Sequence, residues 1–150
     1  MKPATAALQP QPYRHGDLPG SIRVAFCADS DDRVDGHFGS CRQFLIYQVS
    51  AREARLIERR EAPAPLGPLK GENNIVRRVT LVSDCHLLYV LSIGGPAAAR
   101  VVNRGVHPLN RGGLIREQLS ALRQVLADGP PPWLARIIAT PATAELEATD

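Results

Sequence analysis

The stretch HLLYVLSIGGPAAARVVNRGVHP, residues 86–108, decides the fold. Residues 86–93 are a nearly continuous apolar run, which is typical of a strand buried on both faces of a sheet. Two glycines and a proline then open a short helix over residues 97–103, because proline is favoured in a first helical turn. Residues 106–109 include Pro108 and therefore predict an edge strand. The stretch predicts a strand–helix–strand unit with parallel strands and a right-handed crossover.

The segments on either side of this unit complete a mixed α/β sheet. Alternating or continuous apolar residues predict strands at 22–26, 43–49 and 55–61, joined by short connections as an antiparallel meander. Helical spacing of apolar residues predicts helices over 72–83 and 114–126. The predicted order is β-β-β-α-β-α-β-α, a five-stranded mixed sheet with helices on its faces. This arrangement is shared with the ribonuclease H-like architecture.

Length and composition indicate one domain, predicted over residues 21–138 of the 150. Residues 1–20, with four prolines and no periodicity, predict a disordered arm, and residues 139–150 a frayed tail. A net charge of +3 is too small to argue for nucleic acid. No segment approaches the roughly 20 apolar residues of a membrane span. Three cysteines without a C-x-x-C pair or a signal peptide indicate a reduced, cytoplasmic protein.

Two loops that follow strands are the candidate functional segments, since ligands in open α/β sheets sit beyond the carboxyl ends of strands. In residues 29–40, His37 lies between two glycines that would permit positive φ and close approach of a ligand. A neutral imidazole is a good metal ligand. The alternative is that Phe38 belongs to the core and His37 only caps the turn. Gly94 and Gly95 open a helix whose N–H groups favour anions, or they make only a tight turn.

Several other chemistries are excluded or disfavoured by the residues present. A calcium loop starting at Asp31 would place Arg33 and Arg42 at ligand positions. A two-metal nuclease needs carboxylates at several strand ends, and only the first predicted strand supplies one, Asp29. No four-cysteine cluster pattern exists. Cys41 is a candidate ligand or reactive thiol because it lies four residues after His37, whereas the other two cysteines are expected in the core.

Two motifs carry a family resemblance. The first is IRVAFCAD at 22–29, followed by VDGHFGS at 34–40 and FLIY at 44–47, which resembles the dinitrogenase iron–molybdenum cofactor biosynthesis family. SIGGPAAAR at 92–100, with RGVHP at 104–108 after it, is similar to the second signature of that family. DGPPPWL at 128–134 resembles its NifX branch. The resemblance covers about residues 21–137 and implies a ribonuclease H-like fold.

The resemblance also implies a function: a non-catalytic carrier that binds the iron–molybdenum cofactor or its iron–sulfur precursor transiently. It implies partners among the precursor-making protein, the cofactor scaffold and apo-dinitrogenase, and no nucleic-acid or membrane partner. It implies His37 as the cluster ligand. The resemblance does not extend ligand status to Cys41, which stays a metal-ligand candidate only because of its position near His37. The full set of predicted cofactor-binding residues is His37, Phe38, Gly39, Ser40, Gly94, Gly95, Arg42 and Arg100. The alternatives are an interaction module without its own ligand and a metal-dependent hydrolase that would use Asp29.

Overall fold

A computed structural model describes residues 20–64 and 67–138 of the chain. The predicted arm, apart from Gly20, and the predicted tail lie outside the described residues. In chain order the elements are β1 Ile22–Ala28, β2 Arg33–Val34, β3 Gln43–Val49, β4 Ala54–Glu61, α1 Gly71–Val82, β5 Leu87–Val90, α2 Gly95–Asn103, β6 His107–Asn110, β7 Gly113–Leu114, α3 Ile115–Asp128 and α4 Pro132–Ile138.

The main sheet has five strands in the order β4-β3-β1-β5-β6. β4, β3 and β1 pair as an antiparallel meander, and β5 and β6 extend the sheet in parallel from β1. The predicted five-stranded mixed sheet is therefore confirmed, with Pro108 in the edge strand β6. A second sheet of two short strands, β2 and β7, was not predicted, because two-residue strands carry no periodic signal.

Helices cover both faces of the main sheet. On one face, Phe26 packs in a cluster with Ile115, Leu122 and Leu134 of α3 and α4. On the other, Ala25 of the same strand packs in a cluster with Val79 of α1 and with residues of α2. Successive side chains of β1 therefore pack alternately into two separate apolar cores, as expected for a strand buried on both faces.

Several boundaries differ from the predictions by one or two residues, and two differences are larger. β5 ends at Val90 rather than at residue 93, because the chain leaves the ladder and Leu91 donates its N–H to the Gly36 carbonyl at 3.0 Å. Residues 132–138 form a short helix that was not predicted, because the three prolines at 130–132 indicated irregular structure. Leu134 is buried and Trp133 stacks on His107, so this segment packs onto the body of the domain.

A partly buried ionic cluster ties the start of β1, β4 and the end of α1 together. Both terminal nitrogens of Arg60 donate to the Asp84 carboxylate, at 2.6 and 2.8 Å, and Arg23 donates to it at 2.9 Å. Burial of Asp84 disfavours its charge, but the hydrogen bonds and charges of Arg60 and Arg23 lower the pKa of the carboxyl to about 2.

No described helix is long and apolar enough to cross a bilayer.

Candidate functional site

The two candidate loops meet at one edge of the sheet. β1 and β5 are parallel neighbours, so the loops that follow them leave from the same side. His37 and Ser92 form an isolated parallel bridge, and the Phe38 N–H donates to the Ser92 carbonyl at 2.9 Å. The imidazole turn therefore lies beside the segment that leads into the glycine pair. We call the exposed part of these loops the His37 surface: His37, Gly39, Ser40, Ser92, Gly94 and Gly95.

The His37 imidazole is exposed and held at one nitrogen. Its Nδ1 lies 2.6 Å from Ser92 Oγ, and its Nε2 has no hydrogen-bond partner among the described residues. A ring fixed through one nitrogen while the other stays available is the arrangement that metal-binding histidines use. Ser92 was not predicted as a site residue; it lies beyond the end of β5, and only the three-dimensional pairing brings it to the ring.

The glycines of the His37 surface are not required by the fold. A Cβ added at Gly94 or Gly95 would meet nothing within 4 Å, and neither residue has a positive φ. The same holds for Gly39 apart from an ordinary contact of 3.7 Å to Ile75. Gly36 and Gly39, which were expected to permit a positive φ beside His37, do not adopt one. The backbone at Gly39, Gly94 and Gly95 is exposed without side chains, which leaves room for a ligand to approach.

Gly36 has a different role. A Cβ at this position would lie 2.5 Å from the Cβ of Cys41 and 3.2 Å from the Sγ of Cys27. Both distances are shorter than ordinary carbon and sulfur contacts allow, so only glycine fits. Gly36 thus lets the turn return against the end of β1, where its N–H donates to the Cys27 carbonyl at 3.2 Å.

Two predicted site residues point into the protein. Phe38 is 1% exposed and packs against Phe44, as the alternative interpretation of the motif held. Cys41 is fully buried, with its sulfur 3.4 Å from the Arg78 guanidinium. As the turn stands, neither side chain reaches a ligand on the His37 surface. Ser40, by contrast, is exposed beside His37, where its N–H donates to the His37 carbonyl at 3.0 Å.

A buried arginine of helix α1 hydrogen-bonds to the backbone of the turn that carries His37. Arg78 is 0% exposed, and one of its terminal nitrogens donates to the carbonyls of Phe38 and Cys41 at 3.0 and 2.9 Å. Its other two nitrogens donate to Pro63 and to the side chain of Asn74, both at 2.7 Å. Asn74 in turn donates to the Gly39 carbonyl at 2.9 Å. The sequence signal is only an i, i+4 pair of polar residues on a helix, which does not reveal this function.

The acidic side chains of the loop at 29–40 accept hydrogen bonds from other groups of the protein. Asp35 accepts hydrogen bonds from the backbone N–H groups of Asp29 and Ser30, at 2.7 and 3.3 Å. Asp31 accepts from Arg59 at 2.9 Å, and this hydrogen bond is the main cause that lowers the pKa of its carboxyl. No group of three His, Cys, Asp or Glu side chains suited to a metal ion occurs in the described ranges.

The two predicted arginines are exposed and have partners of their own. Arg42 is exposed, and its guanidinium donates to the Asp29 carbonyl at 3.3 Å. Arg100 of α2 forms an exposed ion pair with Glu72 of α1 at 2.8 Å. Exposed pairs of this kind contribute little to stability, so both guanidinium groups can exchange their partners for an anion at small cost.

The fold and this surface define a class of protein: a three-layer α/β domain with an exposed, oriented imidazole beside glycine backbone at the edge where β1 and β5 end. Residues 20–125 match the family described as dinitrogenase iron-molybdenum cofactor. The chain belongs to this family.

The relatives agree with this assignment. The chain is 52% identical over 129 residues to protein NifY of Azotobacter vinelandii, an alignment that covers 85% of this chain and 52% of that protein. It therefore spans about half the length of that relative. It is 35% identical over 133 residues to protein NifX of Sinorhizobium fredii (strain NBRC 101917 / NGR234), covering 84% and 83% of the two chains.

A more distant relative and a solved structure complete the comparison. FeMo cofactor biosynthesis protein NifB of Herbaspirillum seropedicae is 30% identical over 110 residues, 72% of this chain and 21% of that protein. The crystal structure of PH0822 superposes with a TM-score of 0.56 at 20% identity, covering 69% of this chain and 89% of that chain. At this identity the likeness concerns the fold alone.

Proposed function

We propose that the protein is a non-catalytic carrier in the biosynthesis of the nitrogenase iron–molybdenum cofactor. It binds the cofactor, or an iron–sulfur precursor of it, on the His37 surface and passes it on in the cytoplasm. Its partners are the protein that makes the precursor, the scaffold and apo-dinitrogenase. Family membership and the names of the NifX, NifY and NifB relatives support this assignment. The strand order supports a ribonuclease H-like classification of the sheet.

The hydrogen bond between His37 and Ser92 carries the proposal. If Nδ1–H donates to Ser92 Oγ, across the 2.6 Å that separate them, the lone pair of Nε2 is left for iron or molybdenum. The bond also fixes the ring relative to both loops. A single imidazole ligand holds a cluster less permanently than four thiolates do, and a carrier must release its cargo.

The rest of the surface suits an anionic cluster. Exposed backbone at Gly94 and Gly95 begins α2, where unpaired N–H groups and the helix dipole favour negative charge. Arg42 and Arg100 supply exposed positive charge from neighbouring segments. Because a cluster is much larger than a side chain, it needs the room that the absent Cβ atoms of Gly94 and Gly95 leave.

Loss of the His37 imidazole is expected to abolish retention of the cofactor without unfolding the protein. Apo-protein and the His37→Ala variant are mixed anaerobically with isolated iron–molybdenum cofactor and desalted, and protein-bound iron is measured. The parent should retain iron and turn brown, whereas the variant should fall to background. Ser92→Ala keeps the His37 imidazole but removes the hydrogen bond that orients it, and should weaken cofactor binding about tenfold.

His107→Ala is the matched control, because it removes an imidazole that stacks on Trp133 instead of facing the loops. It should retain cofactor like the parent. Circular dichroism checks that every variant is folded. Equal iron retention by the parent and the His37→Ala variant would remove His37 from the binding site. Absence of iron from the parent as well would refute the carrier function.

A further inference from the structure

A cleft lies on the face of the main sheet that carries α3, beside the first residues of the loop at 29–40. It has a volume of about 200 Å³. Its apolar lining consists of Leu114, Ile115 and Leu119, from the start of α3 and the residue before it. We call it the α3 cleft. The residues that line it are different from those of the His37 surface.

Backbone hydrogen bonds hold one wall of the α3 cleft in place. Arg33 of β2 pairs with Leu114 of β7 in the two-stranded sheet. Directly beside this pair, the Ile115 N–H donates to the Asp32 carbonyl at 2.9 Å. The loop after β1 is therefore tied to the first residue of α3, and the cleft is formed before any ligand arrives.

Tyr47 of β3 adds a polar group to this mostly apolar lining. The residue lines the cleft and is only 9% exposed, and its ring packs edge-to-face on Phe26 with the ring centroids 5.5 Å apart. Its hydroxyl forms no hydrogen bond with any described residue. A tyrosine hydroxyl usually finds a partner when it is buried, so this group is left for a ligand or for solvent.

Two opposite charges lie at the cleft without pairing. Asp32 and Arg116 both line it and are exposed, and the backbone bond between Asp32 and the start of α3 brings them close together. Neither side chain forms a hydrogen bond or an ion pair with a described residue. The other acid, Asp31, is already bonded to Arg59 at 2.9 Å and to Gln43 at 3.1 Å. A free carboxylate and a free guanidinium side by side suit a ligand that carries both charges.

We propose that the α3 cleft binds a free α-amino acid with an apolar side chain, such as leucine or phenylalanine. The ammonium group of the ligand pairs with the Asp32 carboxylate, and its carboxylate pairs with the Arg116 guanidinium. No described side chain caps α3, so N–H groups of its first turn also donate to that carboxylate. The Tyr47 hydroxyl supplies a further hydrogen bond, and the apolar side chain of the ligand packs on Leu119 and its neighbours.

Titration of the full-length chain with free leucine or phenylalanine tests the site without any cofactor. The chain is isotope-labelled, and its amide signals are followed by two-dimensional NMR. A ligand of this size should bind with a Kd of about 1 mM. The shifted signals should belong to residues 31–33 and 113–119, around the cleft. Isocaproate lacks the ammonium group of leucine and isoamylamine lacks its carboxylate, so each should bind about tenfold more weakly.

Substitutions of the exposed charges separate binding from folding. Arg116→Gln and Asp32→Asn should each weaken leucine binding about tenfold, and Tyr47→Phe about threefold. Arg77→Gln is the matched control, because it makes the same change at an exposed arginine of α1, on the other face of the sheet. This variant should bind leucine like the parent.

Three results would overturn the proposal: no shift with either amino acid well above the expected Kd, shifts confined to the His37 surface, or unchanged binding by both Arg116→Gln and Asp32→Asn. The outcome is independent of the carrier function. A chain that retains cofactor but binds neither amino acid would refute the α3 cleft and leave that function standing.

Discussion

Replacing Arg78 with methionine should lower the free energy of unfolding by about 3–5 kcal/mol, because it leaves buried acceptors unpaired. The guanidinium satisfies the carbonyls of Phe38, Cys41 and Pro63 and the side-chain oxygen of Asn74. Methionine fills a similar volume but donates nothing, and an unpaired buried acceptor costs about 1–3 kcal/mol. Urea unfolding followed by circular dichroism measures the loss.

Arg77 offers a matched control on the same helix. It is the preceding residue of α1 and is exposed, so Arg77→Met should change stability by no more than about 0.5 kcal/mol. Arg78→Lys should fall between the two, because one ammonium group cannot reach acceptors on three segments at once. Equal stability of the two methionine variants would show that the turn does not depend on the guanidinium.

The sheet was predictable because its signals are local. The apolar run at 86–93 and the alternation at 22–26 reflect burial on two faces, and short connections fix which strands are neighbours. β5 proved shorter than its apolar run, since Leu91 and Ser92 pair with the imidazole turn instead of with a strand. No periodicity encodes such a contact between two loops.

The site was predictable only in outline. Glycines and a histidine in loops after parallel strands indicate a ligand edge, and the structure brings His37 and Gly94 to that edge. What supports the edge was not predictable. Ser92 and Arg78 hydrogen-bond to residues that are 55 and 37 positions away in the sequence, and no local pattern indicates such contacts. An arginine in a helix usually faces solvent.

Replacing Asp84 with asparagine should cost about 2–4 kcal/mol of stability, because it leaves two partly buried cations without their shared carboxylate. The side chains of Arg23, Arg60 and Asp84 are only 15–17% exposed, so solvent screens the cluster weakly. Asparagine keeps the shape of the side chain and removes its charge. Glu117→Gln is the control, since Glu117 is an exposed carboxylate in the first turn of α3, and it should stay within about 0.5 kcal/mol of the parent.

The same carboxylate predicts how stability depends on pH. Its pKa is about 2 in the folded protein and 3.8 ordinarily, so the folded state binds the proton less tightly than the unfolded state. The resulting stabilisation, about 2 kcal/mol at 1.36 kcal/mol per pKa unit, is fully present above the unfolded value and is lost as the pH falls through 3.8 toward 2. Urea unfolding between pH 6 and about pH 2 measures this stabilisation.

The loss of stability in acid should be smaller by this amount in Asp84→Asn than in the parent, whereas Glu117→Gln should follow the parent. Parallel curves for the parent and Asp84→Asn would mean that Asp84 titrates alike in the folded and unfolded chains, and that the arginines do not hold its charge.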